Sequence, residues 1–150
     1  MNTSSQYDFS SLNGKTAIIT GGAGILGKYF SEGLASCGSH VVVVDLNKNA
    51  AEILASDLTR RYGQQCISIE CDVSEPASVN SMVDGVVKQF GDIHVLHNNA
   101  ASKSSDLEAF FAPFEEYTLD QWQEVTKVNL DGMFLVAQAV GRKMVEQNKG

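Results

Sequence analysis

A chain of 150 residues suits a single domain, and 43% hydrophobic with 19% charged residues is the composition of an ordinary globular protein. Eighteen acidic against eleven basic side chains give a net charge of −7, which argues against nucleic acid as the main partner, because a phosphate backbone calls for concentrated positive charge. No apolar run reaches the length of a membrane span, which argues against the membrane as a partner too.

The opening MNTSSQYDFSSLNGK has neither the basic head nor the apolar middle of a secretory signal, and residues 1–13 read as a flexible polar arm. From residue 14 onward, strand and helix patterns alternate. KTAIIT (15–20) is a short β-branched run, hence a buried strand. Leu26, Phe30, Gly33, Leu34 and Cys37 recur at helical spacing and predict the buried face of a first helix. HVVVVD (40–45) predicts a second strand, apolar on both faces as parallel sheets require. Ala51, Leu54, Leu58 and Tyr62 mark a second helix, and CISIEC (66–71) a third strand. Ser74 is placed to cap a third helix, with Pro76 in its tolerant first turn; Val79, Met82, Val83, Val86 and Phe90 form that helix's inner face. IHVLHN (93–98) is a fourth strand.

Residues 101–117 show no clear period, and a connection of about 17 residues is long enough to suggest a functional lid. Thr118 and Gln121 then make a capping-box start. The helix that follows runs to about Gln147 with two apolar stripes, Val125, Val128, Met133, Val136 and Val140 on one, and Leu130, Phe134, Ala137, Gly141 and Val145 on the other. One stripe can face a sheet; the other calls for a further helix, such as one from a second subunit. Cys37, Cys66 and Cys71 are odd in number and lack C-x-x-C spacing, so they read as small buried residues of a reducing, cytoplasmic compartment.

This order of elements predicts an α/β fold, a doubly wound parallel sheet of Rossmann type represented by about its first four β-α units. Right-handed crossovers favour strand order 3-2-1-4.

The turn TGGAGILG, residues 20–27, joins the first strand to the first helix. It fits both G-x-G-x-x-G (Gly22, Gly24, Gly27) and T-G-x-x-G-x-x-G (Thr20, Gly21, Gly24, Gly27). Glycines let backbone approach a pyrophosphate, and a helix N-terminus offers it free N–H groups. Asp45 ends the second strand, where a carboxylate can accept both ribose hydroxyls of an adenosine and repel a 2′-phosphate, favouring NAD over NADP. Asp72, at the end of the third strand, has two open roles: meeting an adenine edge, or capping the loop into the third helix. His94 and His97 fall on opposite faces of their strand without metal-ligand spacing and read as structural, so no metal is expected. Trp122 reads as a packing residue.

GKTAIITGGAGILG, VVVVDLN, CDVS, GDIHVLHNNAA and VTKVNLDGMFLVAQAV together resemble the short-chain dehydrogenase/reductase family, in order and spacing, from residue 14 to the end of the chain. The resemblance implies one NAD(P)-binding Rossmann domain over residues 14–150, continuing beyond them. By position it implies that Thr20, Gly21, Gly24, Ile25, Leu26 and Gly27 hold the pyrophosphate and that Asp45 takes the ribose. Asp72 and Val73 would flank the adenine, and Asn99, Ala100 and Ala101 would line the cofactor's other half, Asn99 also stabilising the central sheet. Asn129 matches the catalytic asparagine, which kinks its helix and supports a proton relay; its plain alternative is an amide packed inside a helix.

Three departures stand out. The middle glycine of the common family turn would fall at Ile25 but sits at Gly24. Ala101 replaces a glycine. No tyrosine here has a lysine four places on: Ser11, Gly33, Cys66 and Gln121 follow Tyr7, Tyr29, Tyr62 and Tyr117. The 150 residues therefore resemble the first half of a longer enzyme, ending before a fifth strand, with a sticky sheet edge and no activity of their own expected.

For the complete protein the resemblance implies NAD-dependent, reversible oxidation of an alcohol (a sugar, polyol or related hydroxy compound) to a carbonyl by hydride transfer. It also implies a small-molecule alcohol or carbonyl substrate and a homo-oligomer, dimer or tetramer. Phe110, Phe111 and Phe114 either line the substrate pocket or pin the loop down. Two other readings stay open: a non-catalytic dinucleotide-binding or regulatory module sharing Gly21, Gly27 and Asp45, and a methyltransferase with a similar turn.

Overall fold

The computed structural model describes residues 8–150. The polar arm at 1–13 lies partly outside the described residues; within them, Ser10–Leu12 forms a 3-10 turn whose Leu12 carbonyl accepts from Ser39 Oγ at 3.0 Å.

Four strands, β1 (Thr16–Thr20), β2 (His40–Asp45), β3 (Ile67–Glu70) and β4 (Val95–His97), form one parallel sheet in the order β3-β2-β1-β4. This is the order expected from right-handed crossovers. Every residue of β1 is buried, as a central strand covered on both faces must be.

Side-chain alternation splits the core in two. Ile18, Val42 and Val44 face α3 (Pro76–Phe90) and α6 (Met133–Glu146), meeting Val79, Met82, Val86, Val136 and Val140. Ala17, Ile19, Val41 and Val43 face α1 (Ile25–Ser36) and α2 (Lys48–Tyr62), meeting Ala35, Ala51, Leu54 and Leu58. Each fully buried Val, Leu or Ile contributes about 1.5–3 kcal/mol.

The first helix departs from its expected face. α1 buries Gly27, Ser31 and Ala35, while Leu26 is 63% and Phe30 42% exposed. The reason is distance: a Cβ on Gly27 would run into the Gly21 carbonyl, so α1 lies close to the turn and only small residues fit beneath it. The bulky residues project outward. Buried Ser31 is satisfied by donating to the Gly22 carbonyl at 3.4 Å.

The start of α3 is also a correction. Glu75 is its N-cap residue, without a side-chain cap bond, and Pro76 opens the helix. Ser74 does not cap it; its hydroxyl donates to Asp72 Oδ1 at 2.7 Å.

The capping box at Thr118 and Gln121 is present and opens α5 (Leu119–Thr126). The expected long helix is interrupted by a π-helical segment, Lys127–Gly132, before α6 continues. Gly132 is required there, since a Cβ would come within 2.9 Å of Val73 Cγ2. One stripe turns inward through Val136 and Val140; on the other, Leu130, Phe134 and Val145 are 61%, 62% and 81% exposed.

The segment after β4 has structure of its own, a short helix α4 (Leu107–Phe110) and a 3-10 turn at Phe114–Glu116. Phe111 and Phe114 neither pin it nor enter a pocket wall beside the glycine turn, being 77% and 89% exposed. Trp122, at 53%, is likewise less packed than expected. Phe110 is half-buried and packs edge-on against Phe111, while the bonds from the segment to the helix behind it are polar.

Candidate functional site

The carboxyl ends of β1, β2, β3 and β4 open onto one cleft of about 440 Å³. Its first wall is the turn between β1 and α1. Gly21 has φ +59°, a left-handed conformation that favours glycine, and its Cβ would sit 3.0 Å from Ala100 Cα. The Gly22 N–H donates to Val44 O at 3.0 Å and the Gly24 N–H to Gly21 O at 3.1 Å. The earliest N–H of α1 to reach back is that of Lys28, which donates to Gly24 O at 3.0 Å. The N–H groups of Ile25, Leu26 and Gly27 thus belong to the first turn of the helix, which has no i−4 carbonyl inside the helix to meet. Such a terminus attracts anions.

Asp45 closes the second wall. Its Oδ2 accepts from the Ala23 N–H at 3.0 Å and its Oδ1 from the Asn47 N–H at 2.9 Å. The carboxylate therefore both shapes the turn and presents its remaining lone pairs at the cleft.

Asp72 forms the third wall with Cys71 and Val73. Its Oδ1 accepts from the Ser74 hydroxyl and, at 2.9 Å, from the Ser74 N–H. These bonds, the hydroxyl's first, hold its carboxyl below the usual aspartate range. Of the two open roles, capping the loop is what its bonds show. Burial pushes the Cys71 thiol up, which makes it a poor nucleophile.

The fourth wall is Asn99, Ala100, Ala101 and Ser102, after β4. Asn99 Nδ2 donates to Thr20 O at 3.0 Å, tying the ends of β1 and β4 together. Thr20 is fully buried behind the wall. Its Oγ1 accepts from the N–H groups of Asn99 at 2.9 Å and Ala100 at 3.0 Å, so it shapes the cleft without lining it.

Asn129 stands in the π segment and also does not line the cleft. Its side chain works as a peptide group would: Oδ1 accepts from the Ser102 N–H at 2.7 Å and Nδ2 donates to Ser102 O at 2.9 Å. The structure thus gathers Gly21, Gly24, Ile25, Leu26, Gly27, Asp45, Asp72, Val73, Asn99, Ala100 and Ala101 into one cleft, with Thr20 and Asn129 behind it. Leu46, Ser102 and Val128 also line it and were not singled out from sequence; adjacency to Asp45, Ala101 and Asn129 was the available signal.

Residues 15–150 match the family described as short chain dehydrogenase. The chain belongs to that family. It is 38% identical over 144 residues to D-threitol dehydrogenase of Mycolicibacterium smegmatis, covering 96% of this chain and 52% of the relative. It is 34% identical to 5-keto-D-gluconate 5-reductase of Escherichia coli K12 over 143 residues, 95% of this chain and 54% of that one. Among solved structures, NAD+-bound xylitol dehydrogenase superposes with a TM-score of 0.85 at 34% identity, over 93% of this chain and 51% of its own. The chain spans about half the length of these relatives.

No helix among the described residues is long and apolar enough to cross a membrane. His94 and His97 sit apart from the cleft walls. His94 Nδ1 accepts from the Thr16 N–H at 3.1 Å, and His97 rests on the Phe30 ring with centroids 4.0 Å apart.

Proposed function

We propose that the complete protein is an NAD-dependent oxidoreductase that interconverts an alcohol, of the sugar or polyol class, and its carbonyl. The observation that carries this reading is the Asp45 carboxylate at the cleft, beside the first turn of α1. A diphosphate at the N–H groups of Ile25, Leu26 and Gly27 leaves the attached ribose within reach of that carboxylate, which would repel a 2′-phosphate. The close backbone approach at Gly21 and Gly27 fits such a ligand, because a Cβ at either would fill the cradle or push its floor apart. Asp72 and Val73 bound the far end for an adenine; Asn99, Ala100 and Ala101 bound the nicotinamide end. When bound, the cofactor supplies hydride acceptance and donation. Asn129 fixes Ser102 beside the nicotinamide end and supports the path of the substrate's proton.

The polyol and sugar class is taken from the threitol, xylitol and ketogluconate relatives. The exposed stripe of Leu130, Phe134 and Val145 supports a homo-oligomer, dimer or tetramer, and the free cysteines support a cytoplasmic setting. The test is an oxidation screen of the full-length protein with threitol, xylitol, sorbitol and gluconate against NAD and NADP. Turnover of at least one of them with NAD, at higher kcat/KM than with NADP, is expected. Preference for NADP, or no oxidation of any polyol or sugar acid, sinks the proposal.

A further inference from the structure

We propose that Glu124 is a positioning residue that latches the segment after β4 and thereby sets the mouth of the substrate site. This rests on the reading of the cleft given above. The segment 102–110 is held to the helix behind it by side-chain hydrogen bonds. Asn129 takes Ser102 by both backbone groups. Glu124 takes the next turn: Oε2 accepts from the Ser104 hydroxyl at 2.7 Å and Oε1 from the Ser105 N–H at 2.9 Å.

Ser104 is buried, at 3% exposure, between exposed neighbours on either side. Its oxygen passes the connection on by accepting from the Asp106 N–H at 3.3 Å. Asp106 in turn caps α4, its Oδ1 accepting from the Ala109 N–H at 3.0 Å. The chain of bonds therefore runs from one glutamate to the short helix that follows the cleft wall.

The helix geometry explains why two side chains can share this duty. Residues 124 and 129 are five apart, which on a regular α-helix turns them roughly 140° away from each other. The wider π turn at Lys127–Gly132 reduces that divergence, and both side chains reach the same strip of chain. The Ser105 N–H and the Ser104 hydroxyl hold the Glu124 carboxyl below the usual glutamate range, so it stays an acceptor for both at neutral pH. Ser102 lines the cleft, and Glu124 does not. Ser102 keeps its own tie to Asn129, and Glu124 holds Ser104 and Ser105 beyond it, so a change at Glu124 acts first on the chain past the dinucleotide walls.

The test uses Glu124→Ala, Glu124→Gln and Ser104→Ala in the full-length protein. Glu124→Ala is expected to raise substrate KM about fivefold or more, the scale of losing charge-assisted hydrogen bonds. NAD affinity should stay within about twofold, because the ribose and diphosphate contacts lie elsewhere. Glu124→Gln should recover most of the loss, since its amide oxygen accepts from Ser105 and its amide nitrogen donates to Ser104 Oγ. Ser104→Ala should raise KM in the same direction, and the double variant should fall short of the product of the two effects. Hydrogen exchange of the 102–110 amides should speed up in Glu124→Ala. Unchanged exchange overturns the latch, as does a KM that stays put or moves in step with NAD affinity. If the wild-type protein oxidises no polyol, the functional proposal fails separately, and exchange alone decides the latch.

Discussion

The Asp45 carboxylate and the Ala23 N–H meet at 3.0 Å, so the acid that ends β2 is bonded into the turn that ends β1. On the function proposed here, ribose binding and the shape of the turn that would cradle the diphosphate both depend on one side chain. Replacing Asp45 by Ala should cost NAD affinity about 10- to 100-fold, the equivalent of one charge-assisted hydrogen bond. NADP should lose less, because the variant also removes a repulsion. Calorimetric titration of the full-length variant with both cofactors checks this; an unchanged NAD to NADP ratio contradicts it.

Glycines in and after this turn separate two kinds of constraint. Gly27 lies under the Gly21 carbonyl, and Gly33, eligible by helical position, has nothing within 4 Å of an added Cβ. Gly27→Ala should destabilise the protein by about 1–3 kcal/mol through overpacking. Gly33→Ala should stabilise it by about 0.5–1 kcal/mol, by removing a glycine from a helix interior. Thermal midpoints of the two full-length variants should move in opposite directions, and a loss at Gly33 would show that something covers it in the complete protein.

How far the sequence reveals this molecule depends on where the information lies along the chain. HVVVVD could be bounded to the residue because β-branched side chains on both faces admit only a central parallel strand. Crossover handedness left few strand orders, and the favoured one is the order found. The face of α1 did not follow, because its apolar stripe is outranked by a backbone contact at Gly27 that no periodicity records. Asp45 was visible as a strand-end acid, but not its bond to Ala23. Glu124 and Ser104 were invisible: a carboxylate on an amphipathic helix looks solvated until a hydroxyl 20 residues earlier is brought against it.

His94 gives the fold a pH dependence. Burial, then the nearby Lys15, lowers its pKa from the ordinary histidine value, and neutral Nδ1 accepts from the Thr16 N–H at the start of β1. With the folded pKa below the unfolded one, the unfolded chain binds the proton first. This contribution is complete above the unfolded histidine pKa and is lost as pH falls through the lower, folded one. His94→Asn keeps an acceptor oxygen near the Nδ1 position and cannot titrate. Thermal midpoints of wild type should fall more steeply than those of the variant as pH drops below about 6.5. Parallel slopes would remove His94 from the account.

The outward stripe of α6 and its π segment makes the last prediction. Leu130, Phe134 and Val145 are 61%, 62% and 81% exposed, whereas Val136 and Val140 on the opposite side are fully buried. A helix apolar on two sides is stable in water only when both are covered. If the second side meets a second subunit, a charge placed there disrupts association but not the sheet, whose contacts run through the other face. Phe134→Glu in the full-length protein should shift its mass in light scattering toward the monomer while near-native circular dichroism is retained. Charge on the inward side, as in Val136→Glu, should unfold it instead, because that site is sealed against the sheet. An unchanged mass for Phe134→Glu would mean that this stripe is covered from within the same polypeptide.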